Sequence, residues 1–198
     1  MNSLTAPIGH ADPAPHPSLT VRNIVASVRV ADVLDLDHLA RVIPGADYNM
    51  QRFPGLVYRR TSPKFAGLVF ASGKVVLIGV RHPDAIPPAL AALLEALQTA
   101  GVDLAPDPRL RIVNLVASGS LGAEVSLLKL AVALDLENVE YEPEVFPGLV
   151  FRSEGGGVAL VFRSGAVIVA GTLSIHQAQA VSDEVWHLVD RAGAWMRT

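Results

Sequence analysis

A phenylalanine stands at the tip of the same short turn twice in this chain. The hexapeptide Phe53-Pro54-Gly55-Leu56-Val57-Tyr58 has a second copy, Phe146-Pro147-Gly148-Leu149-Val150-Phe151. A ring at a turn tip beside Pro-Gly is difficult to bury, so both rings are candidates for contact with a ligand. Asparagine is repeated as well, at Asn23 and Asn114, although this residue is disfavoured in strands. The repeated rings and amides indicate a binding surface.

Residues for catalysis or metal binding form no comparable pattern. The chain has no cysteine, which excludes disulfides, thiolate metal ligands and cysteine nucleophiles. Ser72-Gly73-Lys74 is similar to part of a phosphate loop, but it lacks the first glycine spacing and lies between predicted strands. The six histidines lie in the N-terminal tail and on helices or helix ends, without ligand spacing: His10, His16, His38, His82, His176 and His187. We therefore expect no enzyme, no catalytic residue, no metal and no cofactor.

Composition indicates a globular chain with a sizeable core. Hydrophobic residues make up 51% of 198 residues, and no apolar run approaches the roughly 18 residues of a membrane span. Residues 1–18 lack a signal-peptide pattern and are predicted to be a disordered, proline-rich tail. The net charge of -3 counts against a nucleic-acid ligand, since such binders are usually basic.

The repeat extends well beyond the hexapeptide. Matching segments recur at an offset of 91 to 93 residues, among them Asn23-Ile24-Val25-Ala26 with Asn114-Leu115-Val116-Ala117, and Gly79 with Gly171. A period this long exceeds that of solenoid repeats and indicates two copies of a small domain. We predict a tail at 1–18, a first repeat at 19–104 and a second at 105–198, packed about a pseudo-two-fold axis.

Each half is predicted to fold as strand, helix, four strands and long helix. Hydrophobic alternation and cap residues define these elements. In the first half we predict strands at 21–30, 46–50, 56–60, 65–71 and 74–79, with helices at 35–43 and 82–101. In the second half we predict strands at 110–119, 138–142, 148–153, 157–163 and 166–171, with helices at 124–134 and 174–195. The fold class is α+β, with helices covering one face of an antiparallel sheet.

The two faces of this sheet are both apolar. The helices are predicted to cover Ile24, Val28, Val57, Val69, Val75 and Leu77. The opposite face then carries Asn23, Val25, Leu56, Tyr58, Leu68, Phe70, Val76 and Ile78, and in the second half Asn114, Val116, Leu149, Phe151, Leu160, Phe162 and Ile168. A large uncovered apolar face is typical of a binding surface. A dimer or a face-to-face sandwich is the alternative.

Taken together, these motifs resemble the TATA-binding protein family in its archaeal form, over residues 19–196. The resemblance rests on the paired Asn-containing strands, Arg52-Phe53-Pro54-Gly55, Ala71-Ser72-Gly73-Lys74 and Tyr141-Glu142-Pro143-Glu144-Val145-Phe146-Pro147-Gly148-Leu149. It implies a saddle: a curved, ten-stranded antiparallel sheet with four helices on its convex side. The concave side would lie on the minor groove of DNA and bend the duplex.

The resemblance also implies a role for individual residues. Asn23 and Asn114 would donate to base acceptors near the pseudo-dyad, and the minor groove of A·T pairs offers acceptors there. The pairs Phe53 with Phe70 and Phe146 with Phe162 would wedge into a base step at each end of the site. Apolar contacts with the groove floor would come from Val25, Leu68, Val76, Val116, Leu160 and Ile168. Phosphate contacts would come from Arg52, Arg59, Lys74 and Arg152.

The second turn and several departures from the family pattern bear on partners and specificity. Glu142 and Glu144 imply contact with transcription factor B, a basic protein. The threonines that the family has on the last strand of each half are replaced by Ile78 and Ala170. Ala166 stands where the second half would have a lysine, and the turn at 153–157 is shorter and less basic. We expect weaker discrimination between A·T and G·C pairs, with bending retained.

The resulting hypothesis is a transcription initiation factor for A/T-rich promoters. Its expected partners are double-stranded DNA, transcription factor B and, indirectly, RNA polymerase; a homodimer of the free protein would hide the same apolar face, and no membrane partner is expected. The expected location is the cytoplasm of a prokaryotic, archaeal-type cell, on the chromosome. The alternative is a non-enzymatic module of the same fold with another nucleic-acid or protein ligand.

Overall fold

The structure is a computed structural model that describes residues 18–134 and 138–196. The predicted tail, apart from Ser18, lies outside the described residues. Within the described part of the chain, no helix is long and apolar enough to cross a membrane.

The two halves fold into the same order of elements. The first half contains β1 (Thr20–Arg29), α1 (Leu36–Val42), β2 (Ala46–Asp47), β3 (Leu56–Thr61), β4 (Lys64–Val69), β5 (Lys74–Val80), a 3-10 turn (Pro83–Ala85) and α2 (Ile86–Thr99). The second half contains β6 (Arg111–Ser120), α3 (Leu127–Ala133), β7 (Val139–Glu140), β8 (Gly148–Arg152), β9 (Val158–Phe162), β10 (Ala166–Thr172) and α4 (Ile175–Arg191). This order confirms the predicted strand–helix–four strands–helix unit.

All ten strands form one antiparallel sheet, in the order β2-β3-β4-β5-β1-β6-β10-β9-β8-β7. The order is its own mirror image about the β1–β6 pair, as a pseudo-two-fold axis requires. At that pair Asn23 lies opposite Val116, and Asn114 lies opposite Val25. The duplicated chain is therefore joined into one continuous sheet rather than two separate ones, and the predicted fold class is confirmed.

Side-chain caps begin helices α1 and α4, whereas α2 and α3 begin without one. The Asp35 carboxylate accepts a hydrogen bond from the His38 backbone N–H, and the Ser174 hydroxyl accepts one from the Gln177 N–H. The predicted end of the last helix at Trp195 is wrong, because α4 ends at Arg191 and the chain turns back towards the start of α3. There Trp195 forms a β-bridge with Val125, and the Met196 N–H donates to the Glu124 carbonyl at 2.9 Å.

The helices cover one side of the sheet. Helix α2 packs on β4 and β5, and α4 packs on β6, β9 and β10. The strand residues beneath the helices are buried as predicted at Ile24, Val28, Val69, Val75 and Leu77. The opposite side, which we call the open face, is covered by no other element among the described residues.

The prediction was wrong for the faces of β3 and β8. Leu56 and Tyr58 are buried under the helices, and Val57 is half-buried on the open face. The second half agrees, with Leu149 and Phe151 buried and Val150 on the open face. Both alternate sets of residues in these strands are apolar, so alternation alone does not tell which set faces the core.

Candidate nucleic-acid interface

A pair of phenylalanine rings lies at each end of the open face. The Phe53 and Phe70 ring centroids are 5.7 Å apart at an interplanar angle of 62°, and those of Phe146 and Phe162 are 5.8 Å apart at 66°. Both pairs are edge-to-face contacts, a favourable geometry for aromatic rings. All four residues are only half-buried, so the rings are held by each other and remain accessible.

The Phe-Pro-Gly motif has a steric reason. A Cβ on Gly55 would lie 2.7 Å from a ring carbon of Phe53, and a Cβ on Gly148 would lie 2.7 Å from the same carbon of Phe146. Each glycine therefore leaves the space into which the turn-tip ring folds. Any larger residue would push the ring off its partner.

The turns that present these rings have one hydrogen-bond pattern. The Asn49 carbonyl accepts from the backbone N–H groups of Arg52 and Phe53, both at 3.0 Å. In the second half the Glu142 carbonyl accepts from those of Val145 and Phe146, both at 2.9 Å. Because the pattern is duplicated, the two ring pairs are held at equivalent ends of the sheet.

The two asparagine amides are oriented by the backbone. The Asn23 Oδ1 accepts from the Gly79 N–H at 3.0 Å, and the Asn114 Oδ1 accepts from the Gly171 N–H at 2.9 Å. Both glycines have positive φ and lie where the register between neighbouring strands shifts, as in a β-bulge. Since each oxygen is bonded to the protein, the amide nitrogens are left to donate to a ligand on the open face.

Apolar residues form one row on each side of the central strands. Cross-strand pairing aligns Val57, Leu68 and Val76 with Ser27, and it aligns Val150, Leu160 and Ile168 with Ser118. The predicted residues of these rows are brought together, with Val25 and Val116 between them. Sequence reasoning missed Val57 and Val150, which only the strand register identifies.

A second row in each half carries the residues that replace the family threonines. Arg59, Ala66 and Ile78 are aligned in the first half, and Arg152, Val158 and Ala170 in the second. Ile78 and Ala170 are half-buried beside the bulge glycines. Neither offers a hydroxyl, so these two positions add no hydrogen-bond donor to those of the neighbouring asparagine amides.

The predicted phosphate-contacting residues are all exposed, but they differ in their surroundings. Arg152 Nη2 lies 2.9 Å from the Glu140 carboxylate, whereas Arg59 has no ion pair among the described residues. Lys74 is the first residue of the interior strand β5, and Arg52 lies on the turn before Phe53. The structure thus places one of the four cations, Arg152, in an exposed ion pair.

Arg22 is a further basic residue of the interface that sequence reasoning missed. Its Nε donates to the Ser118 hydroxyl at 2.7 Å, across the central strand pair. It lies where the β1–β6 register shifts, which places it next to Asn23 on the open face. The equivalent residue is Val113, 49% exposed. The alignment of Arg22-Asn23 with Val113-Asn114 shows the difference in the sequence, but it does not show that Arg22 reaches the open face.

Glu142 and Glu144 lie on the turn that carries Phe146, and both are exposed. The neighbouring Val145 is 80% exposed. The equivalent first-half turn carries Asn49 and Gln51, so its surface is not acidic.

Among residues 18–134 and 138–196, no group of three or more histidine or carboxylate residues could hold a metal ion.

Fold and site together define a class of protein: a duplicated α+β chain with an open ten-stranded sheet and paired aromatic rings at both ends of the open face. The family model for "Transcription factor TFIID (or TATA-binding protein, TBP)" matches residues 18–100 and 109–192. The chain belongs to the TATA-binding protein family. The two matched segments follow the two halves, and the boundary between residues 104 and 105 stays a prediction.

Archaeal relatives match over most of their length. TATA-box-binding protein 2 of Haloferax volcanii is 40% identical over 180 residues, covering 90% of this chain and 97% of the relative. TATA-box-binding protein D of Halobacterium salinarum is 42% identical over 155 residues, covering 78% and 83%. The solved structure of Methanococcus jannaschii TBP superposes with a TM-score of 0.79 at 36% identity, covering 88% of this chain and 99% of that one.

Proposed function

We propose that this protein binds the minor groove of A/T-rich promoter DNA, bends it, and recruits transcription factor B and through it RNA polymerase. The observation that carries the proposal is the placement of two phenylalanine pairs at opposite ends of an uncovered apolar face that has amide donors at its centre. Family membership supports the same reading, since the archaeal relatives carry the name TATA-box-binding protein.

The centre of the open face suits the chemistry of A·T pairs. In the minor groove these pairs present only acceptors, whereas a G·C pair adds the guanine N2 donor. The amide nitrogens of Asn23 and Asn114 are donors, and their orientation is fixed because the amide oxygens accept from the Gly79 and Gly171 N–H groups. They would bond to acceptors of A·T pairs and oppose a guanine amino group, which gives central selectivity without the threonine hydroxyls.

The ends of the open face supply the bend. A wedge such as Phe53 with Phe70 enters a base step and unstacks it, at a cost of about a few kcal/mol per step. The widened groove then contacts the apolar rows of Leu68 and Leu160, and this added contact offsets the cost. Lys74 and Arg59 would contact the phosphates, and their contribution falls as salt concentration rises.

The acidic surface of the second-half turn favours contact with a protein partner rather than with DNA. Carboxylates repel phosphates, so Glu142 and Glu144 favour a basic partner such as transcription factor B. Val145 adds an exposed apolar contact between them and Phe146. A complex on this turn would form beside the bent end of the DNA and hold the factor on the chromosome.

Fluorescence anisotropy tests the proposal. An A/T-rich duplex and a G·C duplex of equal length are titrated with wild type at low and moderate salt, with and without transcription factor B. The Phe53→Ala/Phe146→Ala double variant should lose affinity for the A/T-rich duplex by roughly a hundredfold or more, at about 1–3 kcal/mol per ring. Leu128→Ala, an exposed apolar change on the helix side, is the matched control and should bind like wild type.

The outcomes separate the two candidate functions. Selective binding of the A/T-rich duplex, lost in the double variant and kept in the control, supports the initiation factor. Equal binding of both duplexes, or no binding even with transcription factor B, would overturn it. The replacement of both threonines, at Ile78 and Ala170, would then favour a module with the same fold and another ligand.

A further inference from the structure

A cationic groove borders the open face at one end of the central strand pair, where the two halves meet. It has a volume of about 520 Å³ and lies where β1 ends and where β5 and β6 begin. Its lining residues are Ser27, Val28, Arg29, Lys74, Ala105, Asp107, Arg109, Arg111 and Val113. Four of these residues are cations and one is a carboxylate, so we name it the basic groove.

Sheet register and the connection between the halves build the basic groove. Arg29 lies opposite Lys74, and Arg111 lies opposite Ser27, so three cations stand on three neighbouring strands. The connecting segment closes the groove, because the Ala105 N–H donates to the Val30 carbonyl at 2.7 Å. This segment adds Arg109, whose Nε lies 2.9 Å from Asp107.

The basic groove is continuous with the proposed DNA surface. Ser27 lines the groove and also ends the apolar row of Val57, Leu68 and Val76. The groove therefore runs along the edge of that row, where a duplex lying on the open face would place the phosphates of one strand. Its breadth and its several cations suit a charged polymer backbone.

The equivalent edge of the second half lacks these cations. The same register recurs there, with Ser120 opposite Ala166 and Thr20 opposite Ser118. The offset of the repeat equates Arg29 with Ser120, Lys74 with Ala166, and Arg111 with Thr20. Beside this second edge lies Arg22 of β1 instead, bonded to the Ser118 hydroxyl at 2.7 Å. One edge of the saddle is thus much more basic than its counterpart.

We propose that the basic groove binds the backbone phosphates of one DNA strand and so turns the basic edge of the protein towards the half-site that carries more phosphate charge. The inference rests on the proposed function, because it requires a duplex on the open face. Base contacts from Asn23, Asn114 and the phenylalanine pairs are duplicated and cannot distinguish the two orientations. The unequal edges distinguish the two orientations when the phosphates of the two half-sites differ in charge.

Directed cleavage tests the orientation. The duplex has a palindromic A/T-rich core in which neutral methylphosphonates replace the phosphates of one half-site. Met50, 74% exposed on the first-half turn, is changed to cysteine and labelled with an iron chelate. The label is unique because the chain has no cysteine. Cleavage should favour the half-site with intact phosphates by at least about fivefold, since neutral linkages forfeit the groove's contacts.

Two variants exchange the edges using residues that the chain itself supplies. Arg29→Ser/Lys74→Ala/Arg111→Thr gives the first half the residues of the second, and cleavage should become nearly equal at both ends. Adding Thr20→Arg/Ser120→Arg/Ala166→Lys to that variant should reverse the preference. On unmodified duplex the first variant should also reduce the slope of log affinity against log salt by roughly two to three, at about 0.9 per phosphate contact.

Each outcome decides the inference. Suppose that the labelled protein still binds the unmodified A/T-rich duplex. The inference is then overturned if the wild type cleaves both half-sites equally, or if both edge variants keep the wild-type preference for the half-site with intact phosphates. Failure to bind that duplex at all would overturn the proposed function and the inference with it. Circular dichroism and thermal melting establish that each variant is folded before its cleavage pattern is compared.

Discussion

The two halves of this protein share the contacts that shape the open face, but they differ in the charges of their exposed side chains. Both have a ring pair at 5.7 or 5.8 Å, a turn-tip glycine beneath the ring, and an asparagine bonded to a bulge glycine. These features depend on close steric fit, which leaves little freedom for either copy to change. They form the duplicated part of the proposed binding surface.

The exposed side chains show the opposite behaviour. Helix α1 presents Asp37, His38 and Arg41, whereas the equivalent positions of α3 are Leu128, Lys129 and Val132. Leu128 and Val132 are exposed, one helical turn apart. Surface residues tolerate substitution at little cost in stability, so they are free to differentiate the halves. The two halves therefore share their shape, whereas surface charge and exposed apolar side chains distinguish one half from the other.

The largest effect is expected where the shared framework is tightest. Gly73 and Gly165 have positive φ, and a Cβ at either would overlap the carbonyl oxygen of Ala31 or Ala123. Gly73→Ala and Gly165→Ala should each reduce the free energy of unfolding by about 3–5 kcal/mol, because strain and steric overlap add. Chemical denaturation measures the change.

A glycine with strain alone provides the control for this prediction. Gly45 has φ of 80°, and nothing lies within 4 Å of an added Cβ. Gly45→Ala should therefore cost only about 1–2 kcal/mol. If all three variants lost a similar free energy of unfolding, the chain would have moved to relieve the overlap with Ala31 and Ala123. If Gly73→Ala and Gly165→Ala lost different amounts, the two halves would not be equivalent in their steric fit.

An intermediate effect is expected from the central amides. Asn23→Ala and Asn114→Ala each remove one donor, and each should lower affinity for the A/T-rich duplex by roughly ten- to a hundredfold, at about 1–3 kcal/mol per lost readout. Binding to a duplex with two central G·C pairs should change less, because the amide no longer opposes the guanine amino group. Anisotropy on both duplexes measures the selectivity.

The matched change for the amides is Ser27→Ala, a half-buried polar residue in line with Val76 on the open face. It should leave the ratio of the two affinities unaltered. If both asparagine variants also kept that ratio, the amides would serve only to satisfy Gly79 and Gly171, and selectivity would have to come from groove shape.

The smallest effect is expected from the ion pair that distinguishes Arg152 from Arg59. Glu140→Gln should free Arg152 for phosphate contact and raise DNA affinity by about two- to fivefold, with a change in stability within about 1 kcal/mol. Asp47→Asn, at the equivalent position, removes the same charge without releasing an ion pair, so its effect on affinity should be smaller. Equal gains would mean that the pair does not restrain Arg152 in solution.

Most of the fold followed from repetition and local pattern. The repeated hexapeptide, the Asp35 and Ser174 caps and the alternation in β1 and β5 all predicted what the structure contains. The end of α4 did not follow, because the bridge between Trp195 and Val125 joins distant segments. Local sequence does not encode such a contact, and helix ends are the part that it specifies least.

The candidate site divides in the same way. Its rings and amides were noticed in the sequence because they are repeated at one offset. Its basic residues were predicted from the family resemblance, since Arg52 and Lys74 have no basic counterpart in the second half. Val57, Val150 and Arg22 were not, because in strands that are apolar on both faces only the register decides which side chains meet.

The sequence alone therefore determined the duplication, the order of elements and the residue types of the binding surface, since these depend on spacing and local preference. Tertiary structure alone decided which face of β3 and β8 is open, that each asparagine oxygen accepts from a bulge glycine, and that Arg29, Lys74, Arg109 and Arg111 line one groove. Each of these depends on hydrogen bonds or packing between segments far apart in the chain, and those segments meet only when the ten strands pair into one sheet.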